Sequence, residues 1–238
     1  MPDGALASPA ARRELDPARV SARPHGRRAF SREAALIPGW TLSKHLTRTL
    51  VIAAGLAALG GWLVAGGAWW IWLAVLPFWL VANVFEWAMH RYPMHRPMVP
   101  RVLYLNHAKV HHPAFDGTNQ EIHSAHELSL VMMPWYTLLL VFVFASPIAI
   151  AAGLLGGIAL AGVFLLSSVA YFLFYELIHT VHHLPVAVLE RSWWGRRPLL
   201  AAMRRHHHSH HQLDRMTEVN FNVTFAIADR LLGTYVEP

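Results

Sequence analysis

TLVIAAGLAALGGWLVAGGAWWIWLAVLPFWLVANVF, residues 49–85, runs for 37 residues without a charge. A second such stretch, LSLVMMPWYTLLLVFVFASPIAIAAGLLGGIALAGVFLLSSVAYFLFY, covers residues 128–175 and is 48 residues long. A bilayer crossing takes about 20 apolar residues in a helix, so each stretch has room for a helical pair. Glycine and proline punctuate helices, which puts the reversals at Gly66-Gly67 and Ser146-Pro147. The expected spans are about 47–66, 69–89, 128–146 and 148–175. The fold class is therefore all-α and integral to a membrane. Gly60, Gly61, Gly156 and Gly157 would let these helices pack closely.

Composition agrees. The chain has 238 residues, 55% of them hydrophobic and only 14% charged, a balance that soluble domains seldom show. Its basic residues (among them Lys44, Arg48, Arg91, Arg96, Arg204 and Arg205) fall on one side of a four-pass arrangement. The positive-inside rule then places both termini and the 90–127 loop in the cytoplasm. The formal charge of +6 reflects arginines near anionic headgroups and calls for no nucleic acid. There is no cysteine, which excludes disulfides, thiolate ligands and iron–sulfur clusters. Residues 1–40 are rich in Ala, Arg and Pro and read as a disordered or loosely membrane-associated tail. A cleaved secretory signal is not expected, since no apolar core follows the first methionine.

Thirteen of the seventeen histidines lie in three groups, each just after an apolar stretch: 90–112, 179–183 and 206–211. The spacings read HxxxxH, HxxxHH, HxxxH and HxxHH. Residues three or four apart share a helix face, so His107 with His111, His179 with His183, and His207 with His211 could each grip one ion. His90 and His95 are five apart, which suggests that one of them leaves the helix near Pro93. A lone HxxxH is usually a solvated helix end. Four such patterns on one membrane face point to a shared site for two or more metals, although a surface cluster or a storage role stays open. Imidazole suits iron, zinc, copper and nickel, and zinc has no redox chemistry. Chemistry on an unactivated C–H bond at a bilayer edge therefore favours two irons. Glu86 and Glu176 precede His90 and His179 by four and three residues, so each could orient an imidazole through its free N–H. The alternative is a charge marking the helix end. His182, His206 and His208 neighbour better-spaced histidines, and His123 and His126 fall outside the patterns.

The segments EWAMHRYPMH (86–95), HAKVHH (107–112), YELIHTVHH (175–183), HHHSHH (206–211) and NFNVTFAIADRLLGT (220–234) resemble the fatty acid hydroxylase superfamily, which includes membrane fatty acid hydroxylases and sterol desaturases. The resemblance spans residues 86 to 234 and implies a four-helix membrane base with a cytoplasmic helical cap, the cap drawn from 90–127 and 176–238. It implies a histidine-rich dimetal site, taken to be two iron ions. Carried over by position, the ligands are His90, His95, His107, His111, His112, His179, His183, His207, His210 and His211. Many members place a histidine three before the paired histidines of the second box. Ala108 stands there, so His107 serves instead, and His206 could replace His207. Asn220 and Asp229 are expected to hold the C-terminal segment against the cap, unless Asp229 is an ordinary helix cap. The activity implied is hydroxylation of a lipid C–H bond with dioxygen. Desaturation on the same centre is the nearest alternative, and a non-catalytic metal-binding protein a more distant one. With no GxGxxG fingerprint and no cysteine, electrons would come from a separate ferredoxin or cytochrome-type partner. The Ala- and Arg-rich composition fits a bacterial inner-membrane protein.

Overall fold

The computed structural model describes residues 30–238, and those residues contain helices and no strand. The first 29 residues of the expected tail lie outside the described part. From the N-terminal side the elements are α1 (Arg32–Ala35), α2 (Leu42–Val64), a 3₁₀ segment (Trp69–Ala74) running into α3 (Val75–Met89), α4 (Arg101–Asn106), α5 (His112–Ala114), α6 (Leu128–Val131), α7 (Thr137–His182), α8 (Val186–Leu189), α9 (Pro198–His210) and α10 (Ile227–Leu231). Three helical stretches are long and apolar enough to cross a membrane: Leu42–Val64, Trp69–Met94 and Thr137–His182.

The first reversal falls where glycine predicts it. α2 ends at Val64, Gly66 takes a left-handed φ of 81°, and the Gly67 amide donates back to the Val64 carbonyl at 2.8 Å. The second reversal does not sit at Ser146-Pro147. Pro147 has no N–H for the Val143 carbonyl, but the Ser146 hydroxyl donates to that carbonyl at 2.8 Å, and the helix runs on. Such local repair is why proline survives in membrane helices. The chain turns instead at Gly157, with φ 79° and ψ 174°, a region closed to side chains bearing a Cβ. Leu138 shares an apolar cluster with Val169 and Phe172. A straight helix would hold Leu138 and Phe172 about 50 Å apart, so the arms 137–156 and 158–182 lie back to back. The expected helix at 128 also shifts. α6 stops at Val131, Met132 turns extended two residues before Pro134, and α7 opens at Thr137, as proline's bias against a preceding helix would have it.

Gly60 and Gly162 mark the crossing of α2 with the second arm of α7. A Cβ on Gly162 would stand 2.8 Å from the Gly60 carbonyl oxygen and 2.8 Å from Leu63 Cβ. Gly61 faces open space and Gly156 abuts Leu160 within its own hairpin, so neither makes this crossing. Gly162→Ala is expected to push the helices apart at a cost of about 1–3 kcal/mol. The thermal midpoint of the protein in detergent would fall, whereas Gly61→Ala, in open space inside α2, would hold or raise it.

Residues 31–40, placed in the tail by composition, are tied to the histidine-bearing part. The Arg32 guanidinium donates to the carbonyls of Ala114, Asn119 and Glu121 and pairs with Glu127 at 2.9 Å. It also lies 4.4 Å from the centre of the Phe115 ring. Leu36 and Trp40 pack on the small core of Phe115, Ile122, Leu128, Leu130 and Val131.

Candidate metal centre

Helix α3 does not simply end at His90. It widens into a π-helical segment, His90–Met94, and α4 does the same over His107–His111. π turns are rare and frequent at functional sites. Their wider turn brings residues five apart onto one face. His95 caps the segment, past the helix end near Pro93 as expected, and still reaches the site: its ring stacks on His90, centroids 5.1 Å apart. The second segment corrects the expected pairing of His107 with His111. His107 groups with His112, and His111 with His179, His183, His207 and His211, although the His107 and His111 rings stack at 5.1 Å.

The ten histidines implied by the resemblance gather as two groups of five: His90, His95, His107, His112 and His210, then His111, His179, His183, His207 and His211. Within each group one ring nitrogen from every residue lies within 4.8 Å of all the others. None of the ten is more than 6% exposed. The groups adjoin, since the His112 and His211 rings stack at 4.4 Å.

Tautomers explain why this cluster calls for a cation. A carbonyl oxygen only accepts, so a ring nitrogen beside one must carry the proton. His111 Nδ1 donates to Leu130 O at 2.8 Å, His183 Nδ1 to Gln120 O at 2.7 Å, His210 Nδ1 to Val219 O at 2.8 Å, and His211 Nδ1 to Phe115 O at 2.7 Å. His90 Nδ1 donates to Phe221 O. Five Nε2 lone pairs are thereby left facing inward. His207 Nε2 stands 3.2 Å from His183 Nε2 and 3.0 Å from His211 Nε2. One proton on His207 can satisfy only one of those two lone pairs. Imidazole bonds to zinc run about 2.0–2.1 Å, so nitrogens at right angles on one such ion would sit about 3.0 Å apart. The spacing within each group therefore suits a small divalent cation, and five of the ten histidines have the second nitrogen anchored on a carbonyl, as metal-bound histidines usually do.

Burial holds these imidazoles neutral. It drives His95, His107, His112, His183, His207 and His211 far below the ordinary histidine value. His111 and His210 fall to about 4, with their carbonyl partners partly offsetting burial. The sign of the pH effect follows. Below about 6.5 the unfolded chain takes up protons that the folded, metal-free chain refuses until about 4. Stability of the metal-depleted protein is thus expected to be full at neutral pH and to fall steadily as pH drops through that window. Thermal midpoints of chelator-treated protein at stepped pH values check this; a midpoint that rises on acidification would contradict it.

The expected carboxylate partners act elsewhere. Glu86 does not touch His90. Its Oε1 accepts from the Val223 and Thr224 amides at 2.5 and 3.0 Å, and its Oε2 from the Tyr171 and Thr224 hydroxyls at 2.5 and 2.6 Å. Glu176 accepts from the Met133 amide at 3.4 Å and does not touch His179. Backbone carbonyls are better placed for the imidazoles, which displaces both carboxylates. Asp229, inside α10 and so not its cap, takes the Phe221 and Asn222 amides, the Thr234 hydroxyl and His206 Nε2. Burial would raise its pKa, but these bonds more than offset that and hold it low. Asn220, at φ 57°, donates to Ser209 Oγ and Val236 O. His206 is held by Asp229, His182 by Val223 O at 2.9 Å, and His208 by His182 O at 2.8 Å, so all three stand outside the two groups. His123 is near Glu127, and His126 stacks on Trp40. Asn83, only 2% exposed, binds the Phe225 carbonyl and the Ala228 amide, a role that the histidine spacings do not announce. A polar side chain within a membrane helix is itself a signal.

A cavity of about 590 Å³ opens beside the centre. His107, His111 and His179 contribute to its wall, together with Leu103, Val110, Leu130 and Met133. The fold and site thus define a helical protein with membrane-length apolar helices and paired histidine clusters able to hold metal, set against an apolar cavity. The family model for fatty acid hydroxylase matches residues 75–234, about two thirds of the chain. The chain belongs to that family. No curated protein and no solved structure matches it.

Proposed function

We propose that the chain is a membrane-bound, non-haem diiron oxygenase that hydroxylates an aliphatic C–H bond of a lipid, using dioxygen and electrons from a separate ferredoxin or cytochrome-type carrier. The observation that carries this reading is the cavity whose wall includes imidazoles of both five-histidine groups. A storage protein has no need of an apolar chamber against its metals. Each group would hold one iron through its inward nitrogens. When bound, the metal pair supplies reactivity toward dioxygen and an unactivated C–H bond.

This chain's own residues do the rest. The carbonyls of Phe115, Gln120, Leu130, Val219 and Phe221 fix five imidazoles in the tautomer that points Nε2 inward. The apolar wall seats the substrate and excludes water. The base is read as four membrane crossings, 42–64, 69–94 and the two arms of 137–182, with the histidines on the cytoplasmic side, where the basic residues collect. A bacterial inner membrane is the proposed location.

The test is expression in a lipid-producing host with a generic redox pair, iron analysis of the purified protein, and mass spectrometry of lipid extracts. Two irons per chain and a lipid gaining one oxygen support the proposal. A lipid losing two hydrogens would make the enzyme a desaturase, and zinc in both sites would overturn the redox reading.

A further inference from the structure

A second cleft, of about 690 Å³, is lined by α8, α9 and the connection between them, and it shares no wall residue with the cavity beside the metals. Its wall carries Arg196, Arg204 and Arg205 and one acidic residue, Glu190. Arg204 is engaged inside the protein, by Glu121 at 3.0 Å and by the carbonyls of His182 and Leu184. Arg196 and Arg205 are exposed and have no carboxylate partner among the described residues, and the same holds for Arg191 and Arg197 beside them. Trp193 and Trp194 stand exposed on the same connection, with the Arg197 guanidinium 4.3 Å from the centre of the Trp193 ring. Exposed Trp and Arg side by side are the residue types that anchor protein interfaces. The cleft also reaches inward. His208 lines it, and the His208 ring lies 6.2 Å from that of His183 and 6.5 Å from that of His207, centre to centre. Both neighbours belong to the second five-histidine group. One imidazole thus joins a cationic surface to the metal site, on a wall that the substrate cavity does not use.

We infer that this cleft is the docking site of the electron carrier, a small protein with an acidic face that sets its carboxylates on Arg196 and Arg205 and its redox group over His208. The inference rests on the hydroxylase reading and gives the partner of that reading a place. Such redox encounters use small interfaces and are steered by complementary charge. Each encounter oxidises the carrier by one electron, which passes to the metal pair. Two electrons, two protons and one dioxygen then turn a C–H bond into a C–OH group and release one water. Because the two cavities are separate, a lipid can stay seated while carriers come and go. Bilayer headgroups also attract Trp and Arg, but a flat bilayer does not fill a concave cleft, nor does it call for an imidazole leading from that cleft to the metals.

The experiment measures binding of an acidic [2Fe–2S] ferredoxin to the full-length protein as purified in neutral detergent, with a basic cytochrome c as the probe of opposite sign. The ferredoxin should bind and the cytochrome should not. Ferredoxin affinity should fall at least about tenfold between about 50 and about 300 mM salt. Arg196→Glu with Arg205→Glu should weaken it by about tenfold or more at low salt. Arg101→Glu, at an exposed position outside both cavities, should leave it unchanged. On iron-loaded protein the double variant should be reduced more slowly by ferredoxin yet as fast as the parent by dithionite, which a disturbed metal site would not allow. Absence of ferredoxin binding, affinity indifferent to salt, or a double variant that binds like the parent would each overturn the inference. So would a double variant whose only change is a lower thermal midpoint in anionic than in neutral vesicles, since these arginines would then be holding lipid. The salt series needs no substitution, so it decides the matter even where the double variant fails to fold. Failure here leaves the hydroxylase reading standing with its carrier docked elsewhere. Conversely, a failed product assay leaves the measured docking intact.

Discussion

His211→Ala is expected to abolish product formation and to halve the metal content. His211 belongs to the second group, is fully buried, and presents Nε2 inward because Nδ1 is tied to Phe115 O. Its removal takes one nitrogen from that site and leaves the Phe115 carbonyl without a donor. Losing a group that merely orients a ligand typically costs 10–100-fold in affinity or activity. Losing a ligand should cost at least about two orders of magnitude. The first group keeps its five nitrogens, so about one metal per chain should remain. His208→Ala is the control. The His208 ring bonds only the His182 carbonyl and stands outside both groups, and the backbone bond from Gln120 Nε2 to its carbonyl survives the substitution, so metal content should stay at the parent value. Metal analysis beside lipid mass spectrometry reads both. If His211→Ala and His208→Ala lose metal equally, the division into ligand and neighbour is wrong.

How much of this was legible from residue order depends on the range of the interaction. Charge-free length announced the membrane helices, and histidine spacing announced the centre. Both are properties of a single segment. The choice of reversal point was not legible, because Pro147 and Gly157 are both breakers. The outcome turned on whether Ser146 could satisfy the Val143 carbonyl, a detail of geometry. The division of the histidines also escaped spacing rules. An α-helical period pairs His107 with His111, whereas the π turn pairs His107 with His112. Least visible were the groups that orient the imidazoles. Glu86 and Glu176 seemed suited by position and charge, but the partners are backbone carbonyls from Phe115, Gln120, Leu130, Val219 and Phe221. Every residue has a carbonyl, so no residue type marks them.

The same reliance on backbone makes Asp229 the most sensitive residue outside the ligands. Phe221 O and Val219 O orient His90 and His210, so the 219–224 segment must be held in register. Two carboxylates hold it, and they differ in a way that predicts unequal costs for amide substitution. At Glu86 both backbone amides reach Oε1, and Oε2 takes hydroxyls. Glutamine can keep oxygen toward the amides and turn its NH₂ to the hydroxyls; Tyr171 can then donate to Thr224 Oγ1, which leaves one rotatable hydroxyl proton without an acceptor. Glu86→Gln should therefore cost less than Asp229→Asn. At Asp229 each oxygen takes a different backbone amide, Phe221 N at 2.9 Å on Oδ1 and Asn222 N at 2.7 Å on Oδ2. Either orientation of asparagine sets an NH₂ against a backbone N–H, and a backbone amide cannot rotate into an acceptor. Asp229 is fully buried, so water cannot relieve the clash. An unsatisfied buried donor costs about 1–3 kcal/mol, more where the lost partner was charged. Asp229→Asn should therefore lose several kcal/mol of stability. It should also loosen metal binding at the first group before the second, since His90 and His210 both belong to the first. Thermal unfolding and metal titration of Asp229→Asn beside Glu86→Gln make the comparison. Equal behaviour of the two variants would mean that the 219–224 segment is not what keeps the first group in place.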